Sequence, residues 1–493
     1  MTISTTSSMA GRPVTPWRAL FTLLAFASVG FHLWLIFAGL IPNLVSRPLH
    51  LMLALPWVFV AAREENAVLR WIGWALCAAA LAACLYIIFN LRALDDQYGS
   101  LKGPLQFILA GVLLLAVLEM ARRAIKLALP LVAVAALAYG VFGQYLPGQF
   151  GHPGIPLNSF LGTLTIAEGG IWGSLTGVSV NVVAVFVILG AFVGAGEGGA
   201  GFMALATRLA GRFRAGAAKV SVLSSAFFGS ISGSASANVA STGAITLPAM
   251  KRLGYPASFA AAVEAVASSG GQIMPPLMGA GAFIMVELLR LPYTSIMAAA
   301  VLPALLFFWA AWCGVDRFAR RYGLKGMARE ELPDRRTLLS TAPFFVIPFG
   351  LLLAVLFLTG YTPQFAAGLA IFAAAALLVA DRTGRVSLTA GLRRFETACN
   401  DAARQTAAIA AIIICAGIVI GVLNLTGLGV KVTSVIIALS GGELWGALLL
   451  TALACLVLGM EVPTTAAYVI CISVAGPALQ ELGLDPLQAP RFV

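Results

Sequence analysis

The sequence predicts an all-α, polytopic transmembrane helical protein with inverted repeats, two re-entrant helical hairpins and broken helices. Three observations lead there. The 493 residues are 60% hydrophobic and only 10% charged, with a mean hydropathy of +0.95, whereas a soluble domain carries roughly a quarter charged residues. Apolar stretches of about 20 residues, enough to cross a hydrocarbon core as a helix, recur from residue 19 to residue 480. Two of the longest are interrupted by small polar residues or proline and carry the same flanking charge at both ends, which a single crossing does not.

About a dozen membrane segments are expected, the clearest at 19–46, 71–91, 169–196, 291–315 and 405–430. The charge-free run 337–380 is long enough for two, with Gly360, Tyr361, Thr362 and Pro363 as the turn between them. The run 48–62 is short, which predicts a tilted or interfacial segment. The first run is longer than a signal peptide and lacks its small-residue cleavage site, so it is expected to remain as a helix.

The net charge of +11 raises the question of nucleic acid. The placement of the bases answers it. With the N-terminus taken as cytoplasmic, all 31 Lys and Arg except Arg47, Arg92, Lys102, Arg290, Lys431 and Arg491 fall in loops on that side. This is the asymmetry that orients membrane proteins, so no nucleic-acid partner is expected. The seven cysteines stand singly in apolar runs and read as buried small hydrophobes rather than metal or redox groups. His32, His50 and His152 are too distant in sequence to suggest a metal site unless folding gathers them.

Gly and Ser become frequent past residue 125, the expected boundary between a four-span N-terminal region, 1–125, and a transport domain, 126–493. The stretch 220–250 holds 31 uncharged residues and eight serines. As one straight helix it would run about 46 Å, more than one crossing needs. Both flanks are basic, with Arg208, Arg212, Arg214 and Lys219 before it and Lys251 and Arg252 after it. A re-entrant hairpin satisfies both facts, with its tip at Gly229, Ser230, Ile231, Ser232, Gly233, Ser234, Ala235, Ser236, Ala237 and Asn238. Irregular backbone at membrane depth survives only buried in protein or lining a wet cavity. Close packing of a small-residue helix is the alternative reading.

The stretch 444–480 has the same form around Gly459, Met460, Glu461, Val462, Pro463, Thr464 and Thr465, but its flanks are Glu443 and Glu481 and no Lys or Arg occurs from 432 to 490. It is expected to enter from the opposite side. Pro248, Ala249, Leu253 and Gly254 match Pro477, Ala478, Leu482 and Gly483 at one constant offset, and Gly190 and Gly194 match Gly417 and Gly421 at nearly the same one. Together with the reversed flanking charge this predicts inverted repeats at about 181–290 and 405–493, with a binding site at their interface.

A third interruption, Ser268, Ser269, Gly270, Gly271, Gln272, Ile273, Met274, Pro275 and Pro276, lies in an otherwise apolar run. Two prolines remove two backbone donors and disfavour helix in the residues before them. The helix is expected to break here, exposing carbonyl oxygens to a hard cation and half-helix N–H groups to a carboxylate. Ser230, Ser232, Ser234, Ser236, Asn238, Ser268, Ser269, Gln272, Thr464 and Thr465 offer side-chain oxygens; capping of helix ends is their other possible use. Glu168, Glu197, Glu264, Glu287 and Glu461 fall near membrane depth, where carboxylates are functional candidates. Glu264 is expected to pair with a basic loop residue or to orient the broken helix.

At these residues the chain resembles the fused membrane subunit of the TRAP (tripartite ATP-independent periplasmic) transporters, especially the TAXI type. The carrying motifs are GSISGSASANVASTGAITLPAMKRLGYP, AVEAVASSGGQIMPP, and PTTAAYVI with PALQELGLDP. The resemblance covers essentially the whole chain and is weakest over the first 125 residues, which would match the small four-helix subunit. It implies an elevator-like carrier in the bacterial inner membrane, not an enzyme. Sodium would drive uptake of an organic acid delivered by a periplasmic binding protein, with no cofactor beyond that ion. It also implies sodium at the hairpin tips and broken helices, including Gly233, Gly270, Gly271, Pro275, Pro276, Gly459, Met460 and Pro463. Two departures stand out. Glu461 occupies a position where the family has a small residue, and the repeat offset places the equivalent of Ser268 past Val493, so the second repeat reads as incomplete. A truncated, non-transporting subunit and an unrelated ion-coupled carboxylate carrier are the alternative readings. An intramembrane enzyme would need paired catalytic groups at depth, and no aspartate pair sits in an apolar run.

Overall fold

The computed structural model describes residues 16–61, 64, 66–289, 291–461 and 464–485. They form helices throughout, with no strand and one isolated bridge between Ala380 and Val386. Among the described residues eight helices are long and apolar enough to cross a membrane, or nine if the bent pair Arg329–Thr341 and Pro343–Leu358 counts as one. Shorter apolar helices, among them Ala280–Leu289, Pro363–Leu377 and Leu428–Leu439, and the hairpin arms supply the rest. This is a polytopic helical membrane fold.

The organising element is Leu388–Thr426, 39 residues and about 58 Å long. Ser387 caps it by accepting the Ala390 N–H at 3.4 Å, and Gly427 ends it in a left-handed conformation. It extends well before position 405, because the basic residues Arg393, Arg394 and Arg404 are compatible with helix outside the apolar section. Its alanine-rich face is buried along nearly its whole length, which lets several neighbours approach closely. Ala184–Ala195, Ala128–Phe142, Pro16–Phe37, Gly103–Ile125 and Asn43–Pro56 all pack on it. The helices carrying Gly190 with Gly194 and Gly417 with Gly421 therefore lie directly together.

The second span is longer than its sequence suggests. It starts at Asn43 and runs through Pro48 to Pro56, then continues as a π-helical turn, Trp57–Ala61. Proline 56 has no N–H to give and crowds the carbonyl four residues back, which suits the wider turn that follows. Most of the span is buried within the protein. Folding also gathers two of the three histidines. His32 Nε2 lies 2.8 Å from His50 Nδ1, and His50 Nε2 lies 2.9 Å from Ser179 Oγ, all three side chains being buried. His32 Nδ1 bonds the Ser28 carbonyl at 2.7 Å, so the chain of bonds closes on backbone and ties Pro16–Phe37 and Asn43–Pro56 to the π turn Ser179–Val183. His152 stays apart, against Tyr139.

Cys77, Cys84, Cys399, Cys415 and Cys471 are buried as expected of small hydrophobes, Cys455 is half-buried, and Cys313 is exposed on the outer face of Tyr293–Tyr322.

Candidate functional site

The stretch 220–250 is a helical hairpin. Its first arm, Gly216–Ser232, ends because Gly233 adopts φ +57°, a conformation costly for any residue with a Cβ. The Gly233 N–H bonds the Gly229 carbonyl at 3.1 Å. Ser234 is extended and accepts the Ala237 N–H at 3.4 Å, which starts the second arm, Ala235–Arg252. The tip rests on the third interruption: a Cβ at Gly233 would lie 2.3 Å from the Met278 carbonyl oxygen.

That interruption breaks its helix where the prolines require. Ala257–Gly270 tightens into a 3-10 turn, Gly271–Ile273, and Met274 is extended. The Pro275–Pro276 bond is cis, and helix resumes at Ala280–Leu289. The unwound carbonyls are partly claimed by protein: Tyr293 Oη donates to Leu277 O at 2.9 Å and to Pro276 O. Leu277 N donates to Ser230 O at 3.3 Å, and Gly279 N to Gln272 O at 2.7 Å. Gly229 of the first arm lies directly on Gly271, whose Cα sits 2.2 Å from where a Gly229 Cβ would be. Only a pair of glycines permits this approach.

A seam of polar side chains runs through the three packed helices. Residues four apart share one helix face, and each helix contributes such a set: Ser221 and Ser225, then Asn238, Thr242 and Thr246, then Glu264 and Ser268. All seven are at most 2% exposed. Glu264 is their hub, accepting from Ser221 Oγ at 2.7 Å, from Ser268 Oγ at 3.5 Å and from the Thr242 and Thr246 hydroxyls. Asn238 Nδ2 donates to Ser225 O at 2.8 Å and Ser268 O at 3.5 Å, while its Oδ1 is buried without a partner. An orphaned buried oxygen costs about 1–3 kcal/mol, and such an atom calls for a water or an ion. Oxygen donors of this kind suit a hard cation such as sodium.

Glu264 has no basic partner among the described residues. Lys219, on the first arm, is bound to Asp316 at 2.7 Å instead. The expected pairing with a loop base is thus replaced by hydroxyls from both hairpin arms, and Glu264 joins those arms to the broken helix.

The other candidates scatter around the seam. Ser230 turns its hydroxyl to Phe227 O at 2.7 Å, and Ser269 is exposed and bonds Ala265 O at 2.8 Å; both satisfy their own helix. Gly270 packs under Phe307, and Gln272, Pro275 and Pro276 are half-buried. A cavity of about 160 Å³ opens beside the seam between the hairpin arms and Gly194 and Gly199, with Ser224, Ser241 and Thr242 in its wall. Thr242 therefore faces both the cavity and Glu264. Ser221, Ser225, Thr242 and Thr246 were not singled out from sequence, although their spacing of four carried the signal.

The stretch 444–480 is likewise two packed helices, Leu444–Glu461 and Thr464–Glu481. The second of them packs on Ala280–Leu289, so the broken helix lies between both hairpins. Thr465 is half-buried. Pro463 lies outside the described residues, as do the surroundings of Gly459 and the side chains of Met460, Glu461, Thr464, Ser232 and Ser236. Among the remaining carboxylates, Glu168 sits 3.3 Å from Arg47, and Glu197, at the start of Gly198–Ala210, sits 3.2 Å from Arg394. Glu287 lies within Ala280–Leu289.

Residues 112–493 match the family model described as the tripartite ATP-independent periplasmic transporter, DctM component. The isethionate TRAP transporter permease protein DctMQ of Oleidesulfovibrio alaskensis is 26% identical over 320 residues, 64% of this chain and 48% of that protein. The C4-dicarboxylate TRAP transporter large permease protein DctM of Pseudomonas aeruginosa is 29% identical over 311 residues, 61% of this chain and 69% of that protein. The chain thus spans about half the length of the first relative and about two thirds of the second.

Proposed function

We propose that this chain, which belongs to the DctM component family of the tripartite ATP-independent periplasmic transporters, is the permease of a sodium-driven carrier for a small organic acid. A periplasmic binding protein delivers the acid, and the hairpins and broken helix move together as an elevator. The relatives named for isethionate and for C4-dicarboxylates support a small organic anion as the substrate class. The chain sits in a bacterial inner membrane with a cytoplasmic N-terminus, residues 1–125 form a small-subunit-like region, and the motifs support the TAXI type. The observation that carries the sodium reading is Asn238 Oδ1, fully buried and unpaired on a side chain whose Nδ2 is held by the Ser225 and Ser268 carbonyls. Sodium would take its ligands from this set and from the unwound 271–278 backbone.

One observation favours a second reading, in which a proton takes the place of sodium. Glu264 is a carboxylate buried among hydroxyls with no basic partner among the described residues, and carboxylates at membrane depth are candidates for carrying a proton. Reconstituted proteoliposomes separate the two. With the binding protein outside, an inward sodium gradient is expected to drive uptake of a labelled acid, and removing the binding protein or the gradient to abolish it. Uptake driven by a proton gradient alone supports the second reading. Uptake without the binding protein, or none under any gradient, refutes both.

A further inference from the structure

A groove at the basic end of Tyr293–Tyr322 takes no part in the seam. It has a volume of about 500 Å³ and is lined by Arg214, Arg320, Lys325 and the backbone around Gly323–Gly326. Its shape is fixed by close packing. Gly323 ends the helix at φ +63°, and the chain folds back so that Met327 N bonds the Gly211 carbonyl at 2.9 Å. Gly326 presses on the Arg212 and Phe213 carbonyls. Lys325 is thereby held in the same groove as Arg214.

Three cations line this groove and no carboxylate does. Asp316, one turn before Arg320, is shared between Lys219 at 2.7 Å and Arg320 at 3.0 Å, so one negative charge serves two positive ones. The groove is built for an anion. Basic loops that only set topology need not gather three bases on one open groove.

The same helix shows what the anion is attached to. Leu302, Leu306, Trp309 and Cys313 are exposed at spacings of four, three and four, which is one face of a helix. Arg320 follows Leu302 by five full turns and so stands in line with that stripe. From 302 to 313 the stripe is about 16 Å long, close to half of a hydrocarbon core about 30 Å thick. An apolar track one leaflet deep leads into a cationic groove.

We propose that this groove binds the headgroup of an anionic phospholipid, with an acyl chain along the 302–313 stripe. A free phosphate shares the headgroup chemistry but makes no use of the stripe. Clusters of bases beside membrane helices select anionic lipids in this way, each base adding about fivefold in affinity.

Native mass spectrometry of the purified full chain, titrated with phosphatidylglycerol, phosphatidylcholine or inorganic phosphate, tests this. Phosphatidylglycerol is expected to bind in preference to phosphatidylcholine, and inorganic phosphate to leave it bound. The double variant Arg214→Gln/Lys325→Gln is expected to hold phosphatidylglycerol about thirtyfold more weakly, and the charge-preserving Arg214→Lys/Lys325→Arg to hold it normally. Equal binding of the two lipids in the unaltered chain overturns the proposal without any variant. So does displacement by inorganic phosphate, or undiminished phosphatidylglycerol binding in the glutamine variant. None of these readouts depends on transport.

Discussion

Replacing Gly229 with alanine is expected to reduce uptake about tenfold or more, a barrier change of about 1.4 kcal/mol. The new methyl carbon would lie 2.2 Å from Gly271 Cα and 2.8 Å from its carbonyl carbon and oxygen. Those atoms are backbone and cannot swing aside as a side chain would. The first arm must retreat from the broken helix, which overpacking data put at about 1–3 kcal/mol and which pulls Ser225 away from Asn238 and Ser268. Gly350→Ala is the matched control, because nothing lies within 4 Å of a Cβ there. Initial uptake rates at equal protein density check both variants. Undiminished uptake by Gly229→Ala would show that transport does not need this contact.

Glu264→Ala is expected to lower stability by about 3 kcal/mol, combining an unfilled volume with the loss of a shared acceptor, and to abolish uptake. The hydroxyls partly compensate, since Thr242 also reaches the Asn238 carbonyl at 2.8 Å and Thr246 the Thr242 carbonyl at 3.0 Å. Glu264→Gln is the informative partner. It keeps the size and one oxygen but neither ionises nor releases a proton. A glutamine variant that restores both the unfolding midpoint and sodium-driven uptake assigns Glu264 a positioning role between the hairpin arms and the broken helix. One that restores the midpoint alone shows that transport needs the charge or the proton of the carboxylate itself. An alanine variant with unaltered midpoint and uptake would remove Glu264 from the mechanism.

The breaks in the helices were legible in the sequence because their causes are local. Gly233 with Ser234, the Pro275–Pro276 pair and the 360–363 turn each act on their own backbone, and the structure turns or unwinds at all three. The division of 220–250 and of 444–480 into two packed helices each follows from length and the small polar or proline interruptions in the same way. What was not legible is set by packing between distant segments. Lys219 is closer in sequence to Glu264 than to Asp316, yet Asp316 holds it. His50 and Ser179 are 129 residues apart and meet only because Leu388–Thr426 gathers the spans around it. The seam lay between these cases: its period of four was visible on each helix, but which faces turn toward one another depended on the glycine contact at 229 and 271. Proline 48 misled in the opposite sense, since proline suits a helix start and here stands within a helix that starts at Asn43.

The central claim is that the seam around Asn238 and Ser268 holds a sodium ion. The unfolding temperature of the purified full chain, in sodium chloride against potassium chloride at equal ionic strength, tests it without a substrate or a binding protein. A ligand at a hundred times its dissociation constant stabilises the folded state by about 2.7 kcal/mol, which such a measurement resolves. The account predicts a rise that grows with the logarithm of sodium concentration, none in potassium, and no rise in Asn238→Ala. Equal unfolding temperatures in the two salts, or a sodium-dependent rise that survives Asn238→Ala, would contradict it.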